Sequence, residues 1–239
     1  MRKIIAILFS TVFLLLSLAA CQTPAPQPEA AKFLEFPETN WNMTMQEVMD
    51  AYGVTPETEG VTVADDQSAF RIDGLTLFGV KTDNIIFAFQ QADGKLSHVR
   101  LAYPDDADMQ TVRQQLQTLY GDSVKRHTRL EHDLREATME ETEHLTFWHS
   151  TTAISEYLSA EDWATFQQLV QKKDEEQNAG GAWSAFMEKE PLVVLTWQDD
   201  ASYPDNMTGT DDLPAMPKNK VVFNASILHY LPELLKKAD

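Results

Sequence analysis

NIIFAFQQADGKLSHVRLAY, residues 84–103, is the stretch whose reading decides the fold. At its middle stands Asp93-Gly94, a dipeptide that accepts the positive φ angles of a tight hairpin turn. On one side Phe87 and Phe89 alternate; on the other, Val99, Leu101 and Tyr103 do so. A period of two places each set on a single face of a pleated strand. The stretch therefore reads as two antiparallel strands, 84–91 and 95–103, each with one apolar face. Such a face needs a cover, and helices supply it.

The flanking sequence provides those helices. Thr44-Met45-Gln46-Glu47 is a capping-box pattern, followed by Met45, Val48, Met49 and Tyr52 at helical spacing and a stop at Gly53. Beyond the hairpin, Asp105 and Asp106 are the expected cap of a second helix, whose apolar stripe is Met109, Val112, Leu116 and Leu119 and whose stop is Gly121. The two helices echo each other: Met45-Gln46-x-Val48 closes at Tyr52-Gly53, and Met109-Gln110-x-Val112 closes at Tyr120-Gly121. The echo raises a duplicated helix-plus-hairpin unit, with subunits of about 33–104 and 105–239 as the alternative to one undivided body. Ser159-Ala160-Glu161-Asp162 opens a third helix with Trp163, Phe166, Leu169 and Val170 inward, closing at Gly180-Gly181. Strands are expected at 70–73, 75–80, 144–150, 192–198 and 221–228, and the chain after Pro232 reads as helical. Residues 54–68 read as polar connection, 122–146 show no clear pattern, and 199–216 read as an acidic loop. The fold class is α+β, helices packed on an antiparallel sheet.

The amino terminus carries a different kind of signal. Arg2 and Lys3 precede an uncharged run from Ile4 to Leu18, and small residues follow. This is the build of a secretory signal peptide. Leu18-Ala19-Ala20-Cys21 resembles the lipobox of bacterial lipoproteins. The resemblance implies that residues 1–20 are removed, that Cys21 becomes the first mature residue, and that it carries acyl glycerol. The competing reading is an uncleaved span, for which this run sits at the lower limit of length. Next come residues 21–32, the lipidated cysteine and a tether with three prolines, Pro24, Pro26 and Pro28. A Pro-rich segment extends by about 3.1 Å per residue, so the globular region 33–239 is expected to stand roughly 30 Å off the lipid. Gln22 is not the aspartate associated with inner-membrane retention. The expected location is therefore the extracytoplasmic face of the cell membrane, or the outer membrane where the host has one.

Composition narrows the function. Without Arg2 and Lys3 the mature chain has 17 basic against 37 acidic side chains, a net charge of −20. Nucleic acid, which is bound through clustered Lys and Arg, is excluded as a partner. Cys21 is the single cysteine, so disulfides, thiol nucleophiles and cysteine metal sites are excluded from the body.

Trp41 to Val48, with the closing Tyr52-Gly53, resembles the opening of small exported domains related to the β-lactamase-inhibitor protein and the assembly lipoprotein BamE. That resemblance implies a helix packed on a small antiparallel sheet and a role in binding other proteins. Its motifs are structural, and residues 122–190 depart from it.

Chemistry is harder to find. His127, His132, His144 and His149, with the five glutamates Glu131, Glu136, Glu140, Glu141 and Glu143, form a histidine-bearing acidic stretch, but both histidine pairs are five apart, a poor spacing for one helix face. Asp105-Asp106-Asp108 lacks the pattern of a calcium loop and reads as capping; Asp199 to Asp212 is a loose acidic loop. Ser97-His98 and Ser226 with His229 are only sequence neighbours. The five tryptophans, Trp41, Trp148, Trp163, Trp183 and Trp197, sit on apolar patterns and read as core rather than as a sugar platform. No catalytic residue, metal ligand or cofactor is assigned. The expectation is a lipid-anchored, non-catalytic protein that binds or scaffolds another cell-envelope protein. The alternatives are the solute-binding lipoprotein of a transporter and an envelope-acting hydrolase.

Overall fold

A computed structural model describes residues 32–124, 126–129, 136–139, 144–176, 180–181, 187, 190–199 and 217–236. Cys21 and the tether through Ala31 lie outside the described residues, as do Trp183 and most of the acidic loop from Asp200. In chain order the elements are α1 (Met45–Ala51), β1 (Val61–Val63), β2 (Ala69–Asp73), β3 (Thr76–Leu77), β4 (Val80–Lys81), β5 (Asn84–Phe89), β6 (Leu96–Tyr103) and α2 (Met109–Tyr120). There follow β7 (Arg126–Arg129), β8 (Glu136–Met139), β9 (Leu145–His149), α3 (Ile154–Tyr157), α4 (Ala160–Glu176), β10 (Val194–Gln198), β11 (Asn219–Asn224) and α5 (Ser226–Lys236).

The hairpin β5–β6 forms as its alternation dictates, with Ile85 opposite Leu101, Phe87 opposite Val99 and Gly94 at φ 67°. A register shift after Ala88 brings Leu96 opposite Phe89. Around the hairpin grows an antiparallel sheet of seven strands in the order β1-β2-β5-β6-β11-β10-β9. Residues directly opposite across an antiparallel pair share a face. One continuous row thus runs Phe70, Phe87, Val99, Phe223, Leu195, Trp148 across six strands, all of them buried. Val48 and Met49 of α1 and Val112 and Leu116 of α2 belong to the same core. The chain is thus α+β, as its sequence indicates. Each of the two helices precedes a run of antiparallel strands, and the last strand of each run, β6 and β11, pair at the middle of the sheet.

Several local readings hold. Thr44 caps α1 through a full capping box: it accepts from the Glu47 N–H, while the Glu47 carboxylate accepts from the Thr44 N–H at 2.7 Å. Ser159 accepts from the Asp162 N–H at 3.1 Å at the start of α4, though the helix ends at Glu176, short of the expected close at Gly180-Gly181.

Other readings are corrected. The cap of α2 is Asp108, whose carboxylate accepts from the Thr111 N–H at 3.0 Å; Asp105 and Asp106 stand exposed in the preceding turn. Leu119 is 41% exposed because Tyr120, one residue on, takes the inward position. The expected strand 75–80 is instead the tiny hairpin β3–β4, turned at Phe78 (φ 50°) and Gly79 (φ 79°). The run 221–228 is a strand only to Asn224. There the Asn224 side chain accepts from the Ser226 N–H at 2.9 Å and starts α5, which runs through Pro232 rather than beginning after it.

Candidate binding surfaces

The first described residues, which follow the Pro-rich stretch, are built into the centre of the core. Leu34, Phe36 and Trp41 are buried, and Phe36 meets the rings of Tyr52, Phe78, Phe87 and Phe223 at 5.2–6.4 Å. Tyr52, which caps α1, donates its hydroxyl to the Pro37 carbonyl at 2.8 Å; Tyr120, which ends α2, donates to the Glu35 carbonyl at 2.8 Å. The echoed Tyr-Gly stops of the sequence therefore converge on the two sides of Phe36. Burial pushes both phenols well above their ordinary range, so they remain donors at any physiological pH. The segment also holds Leu34 at φ 47° and Glu38 at φ 61°. Non-glycine residues adopt such angles at a cost of roughly 1–2 kcal/mol, and persist in them only where the surroundings impose them. The Thr152 hydroxyl donates to the Lys32 carbonyl at 3.4 Å, which places Lys32 beside the β9–α3 connection.

Where their side chains are described, the titratable clusters singled out in the sequence do not assemble. His127, His132 and Glu131 to Glu143 lie where no side chain is described. His144 and His149 stand at opposite ends of β9; the former contacts the Asp199 carboxylate at 2.8 Å, the latter the Ser150 carbonyl at 3.1 Å. Asp108 is engaged in capping, and its hydrogen bonds from Thr111 hold its carboxyl below the usual range. Ser97 donates to the Ala88 carbonyl. Both ring nitrogens of His229 are occupied, one by the Asp93 carboxylate and one by the Leu96 carbonyl, each at 2.8 Å. Neither serine–histidine neighbour thus forms a nucleophile–base pair. Among the described residues, no group of three or more His, Cys, Asp or Glu side chains is placed to hold a metal ion.

His229 instead ties α5 to the hairpin turn. It is 5% exposed, so its contact with the Leu96 carbonyl is shielded from water. Replacing it by leucine leaves the Leu96 carbonyl buried without its donor. Unfolding in urea is expected to show a loss of about 1–3 kcal/mol, as a lower midpoint at unchanged slope; an unmoved midpoint would show that the contact contributes nothing.

Two surfaces are open to a partner. On the sheet face opposite the α1–α2 core, Arg71 is exposed and Asn84, Ile86, Ala88, His98 and Arg100 are partly exposed. Arg71 pairs with Asp73 at 2.6 Å, and His98 and Arg100 each already have an interaction partner. Along β9 to β11 the same face is buried, at Leu145, Phe147, Lys220 and Val222. The strip runs from the exposed Thr62 of β1, opposite Arg71, across β2, β5 and β6, and beyond them narrows to the partly exposed Thr196, Asn224 and His149. The second surface is a groove of about 460 Å³ along α4, with Trp163 and Phe166 in its lining.

No family model, no curated protein and no solved structure matches this chain. The likeness of Trp41 to Gly53 to exported binding domains accordingly rests on those residues alone. Sequence reasoning did not find the role of residues 33–41: the segment has no periodicity, and its only signal is four large apolar residues directly after a Pro-rich stretch.

Proposed function

We propose that this chain is an exported lipoprotein, held at the extracytoplasmic face of a membrane by acyl glycerol on Cys21, whose body binds another protein of the cell envelope. The observation that carries the reading is Leu18-Ala19-Ala20-Cys21 at the end of a positively started apolar run. A sole cysteine at that spot, and nowhere in the body, has a ready use as a lipid attachment point. Among the described residues no helix is long and apolar enough to cross a membrane. With a body this acidic, attraction to anionic lipid does not help to hold it, so the attachment falls to the acyl chains.

For the binding role the support is the partly exposed strip on β2, β5 and β6, rigidly backed by the core row beneath it. Two arginines and a histidine on that strip, in a chain of net charge −18, suit an acidic or neutral protein surface. A photo-crosslinking residue at position 86, in the middle of the strip, tests this in the native membrane. Capture of one defined envelope protein, absent when the probe is placed at position 119, exposed on α2 on the other side of the sheet, is the expected result. A probe that captures nothing from position 86 in intact cells removes the strip from consideration.

A further inference from the structure

We propose that the groove along α4 is a binding site for a neutral carbohydrate chain. Three observations lead there. The first concerns hydrogen bonding. Trp41, Trp148 and Trp197 each donate the indole N–H to a backbone carbonyl, of Phe33, Gly121 and Met109 respectively, at 2.9–3.1 Å. These are structural tryptophans. Trp163 has no such partner among the described residues; it is partly exposed, with one ring face stacked on Phe166 at 5.8 Å between centroids and an interplanar angle of 26°. In a partly exposed ring the N–H can donate to water or to a bound molecule.

The second observation is the lining. Phe166 and Val170 are buried beneath the groove, Trp163 and Met187 are partly exposed in it, and the exposed amides of Gln167, Gln168 and Gln171 stand along it. Gln171 donates to Glu175 at 3.2 Å; the amides of Gln167 and Gln168 have no partner among the described residues. An amide offers both donors and an acceptor, as a sugar hydroxyl does in return. An apolar helix laid on the same groove would desolvate these amides without replacing their hydrogen bonds, at about 1–3 kcal/mol for each group left unpaired. A hydroxyl-rich ring meets them.

The third is charge. Although the chain has 37 acidic and 19 basic side chains, none is among the described residues that line this groove. None of those described residues selects a cation or an anion. A sugar ring fits the remaining requirement, an apolar C–H face against an indole with a rim of hydroxyls, and about 460 Å³ is within the usual range for small-ligand sites. Carbohydrate binding here depends neither on the lipid anchor nor on a protein partner at the sheet.

The test uses the full mature protein, kept in a polyoxyethylene detergent so that no sugar headgroup competes. It is titrated by calorimetry with tri-N-acetylchitotriose, cellotriose, maltotriose and mannotriose. At least one is expected to bind saturably at a single site. Trp163→Ala is expected to weaken that binding by about tenfold, the loss of one good aromatic contact. Gln167→Ala with Gln168→Ala, both on exposed positions that leave folding intact, is expected to weaken it severalfold. Absence of saturable binding with all four sugars overturns the proposal. So does binding that is unaltered in the double glutamine variant.

Discussion

Phe36→Ala is expected to cost about 3–5 kcal/mol, the range for removing a large ring from a well-packed core. Phe36 is 1% exposed and touches four other rings drawn from α1, the β3–β4 turn, β5 and β11. These elements cannot collapse onto the vacancy together, because the sheet fixes β5 and β11 two strands apart. For a domain of this size each kcal/mol lowers the melting temperature by about 2–4 °C, so thermal unfolding should fall by roughly 6–20 °C. Glu35→Ala, next door but exposed, keeps the carbonyl that accepts from Tyr120 and should fall by far less. Equal losses in the two variants would mean that the segment is ballast and not a packed centre.

The hydroxyls around Phe36 contribute on a smaller scale. Tyr120→Phe removes one donor and leaves the Glu35 carbonyl to find another, so its loss is expected near 1 kcal/mol. The difference identifies what holds the segment: ring packing, with the two tyrosines fixing its direction. Whatever pulls on residues 22–31 therefore pulls on a strand of chain wedged between the two helix ends, rather than on a frayed terminus.

How much of this could be read from the chain alone depended on locality. The hairpin 84–103 and helix α1 were legible because their signals lie within a few residues: alternation about Asp93-Gly94, and Thr44 three before Glu47. Helix α2 was legible in its stripe but not in its cap, because three aspartates compete at 105, 106 and 108 and only backbone geometry selects the last. The run Val221 to Leu228 was ambiguous for a physical reason: continuous apolar residues fit a buried strand and a buried helix alike. The sheet order was not legible. β11 inserts between β6 and β10, a pairing of residues about 120 apart that no local pattern encodes. At the α4 groove, Trp163 reads like every other tryptophan in sequence. Only the positions of carbonyl groups contributed by distant segments separate it from Trp41, Trp148 and Trp197.

Cys21→Ser is expected to leave the protein without acyl chains and to change its membrane attachment outright. Each buried methylene contributes about 0.8 kcal/mol; one chain holds a protein only marginally and two hold it stably. Fractionation of that variant alone is ambiguous, because a precursor that is no longer cleaved keeps the apolar run from Ile4 to Leu18 and can stay in the membrane through it. The decisive form carries Cys21→Ser and has residues 1–20 replaced by an unrelated cleavable secretion signal. Lipid then no longer holds the body: its net charge of −20 repels an anionic surface, and screening confines any attraction by its few cations to a Debye length of about 8 Å at physiological salt. The protein is expected almost wholly in the soluble exported fraction, against almost wholly in the membrane for the unaltered chain. The unaltered chain should also show an intact mass beginning at Cys21 and increased by acyl glycerol. Retention of the cleaved Cys21→Ser form on the membrane would mean that the body itself, and not a lipid, makes the attachment. A bare thiol at Cys21 in the unaltered, membrane-held chain would lead to the same conclusion.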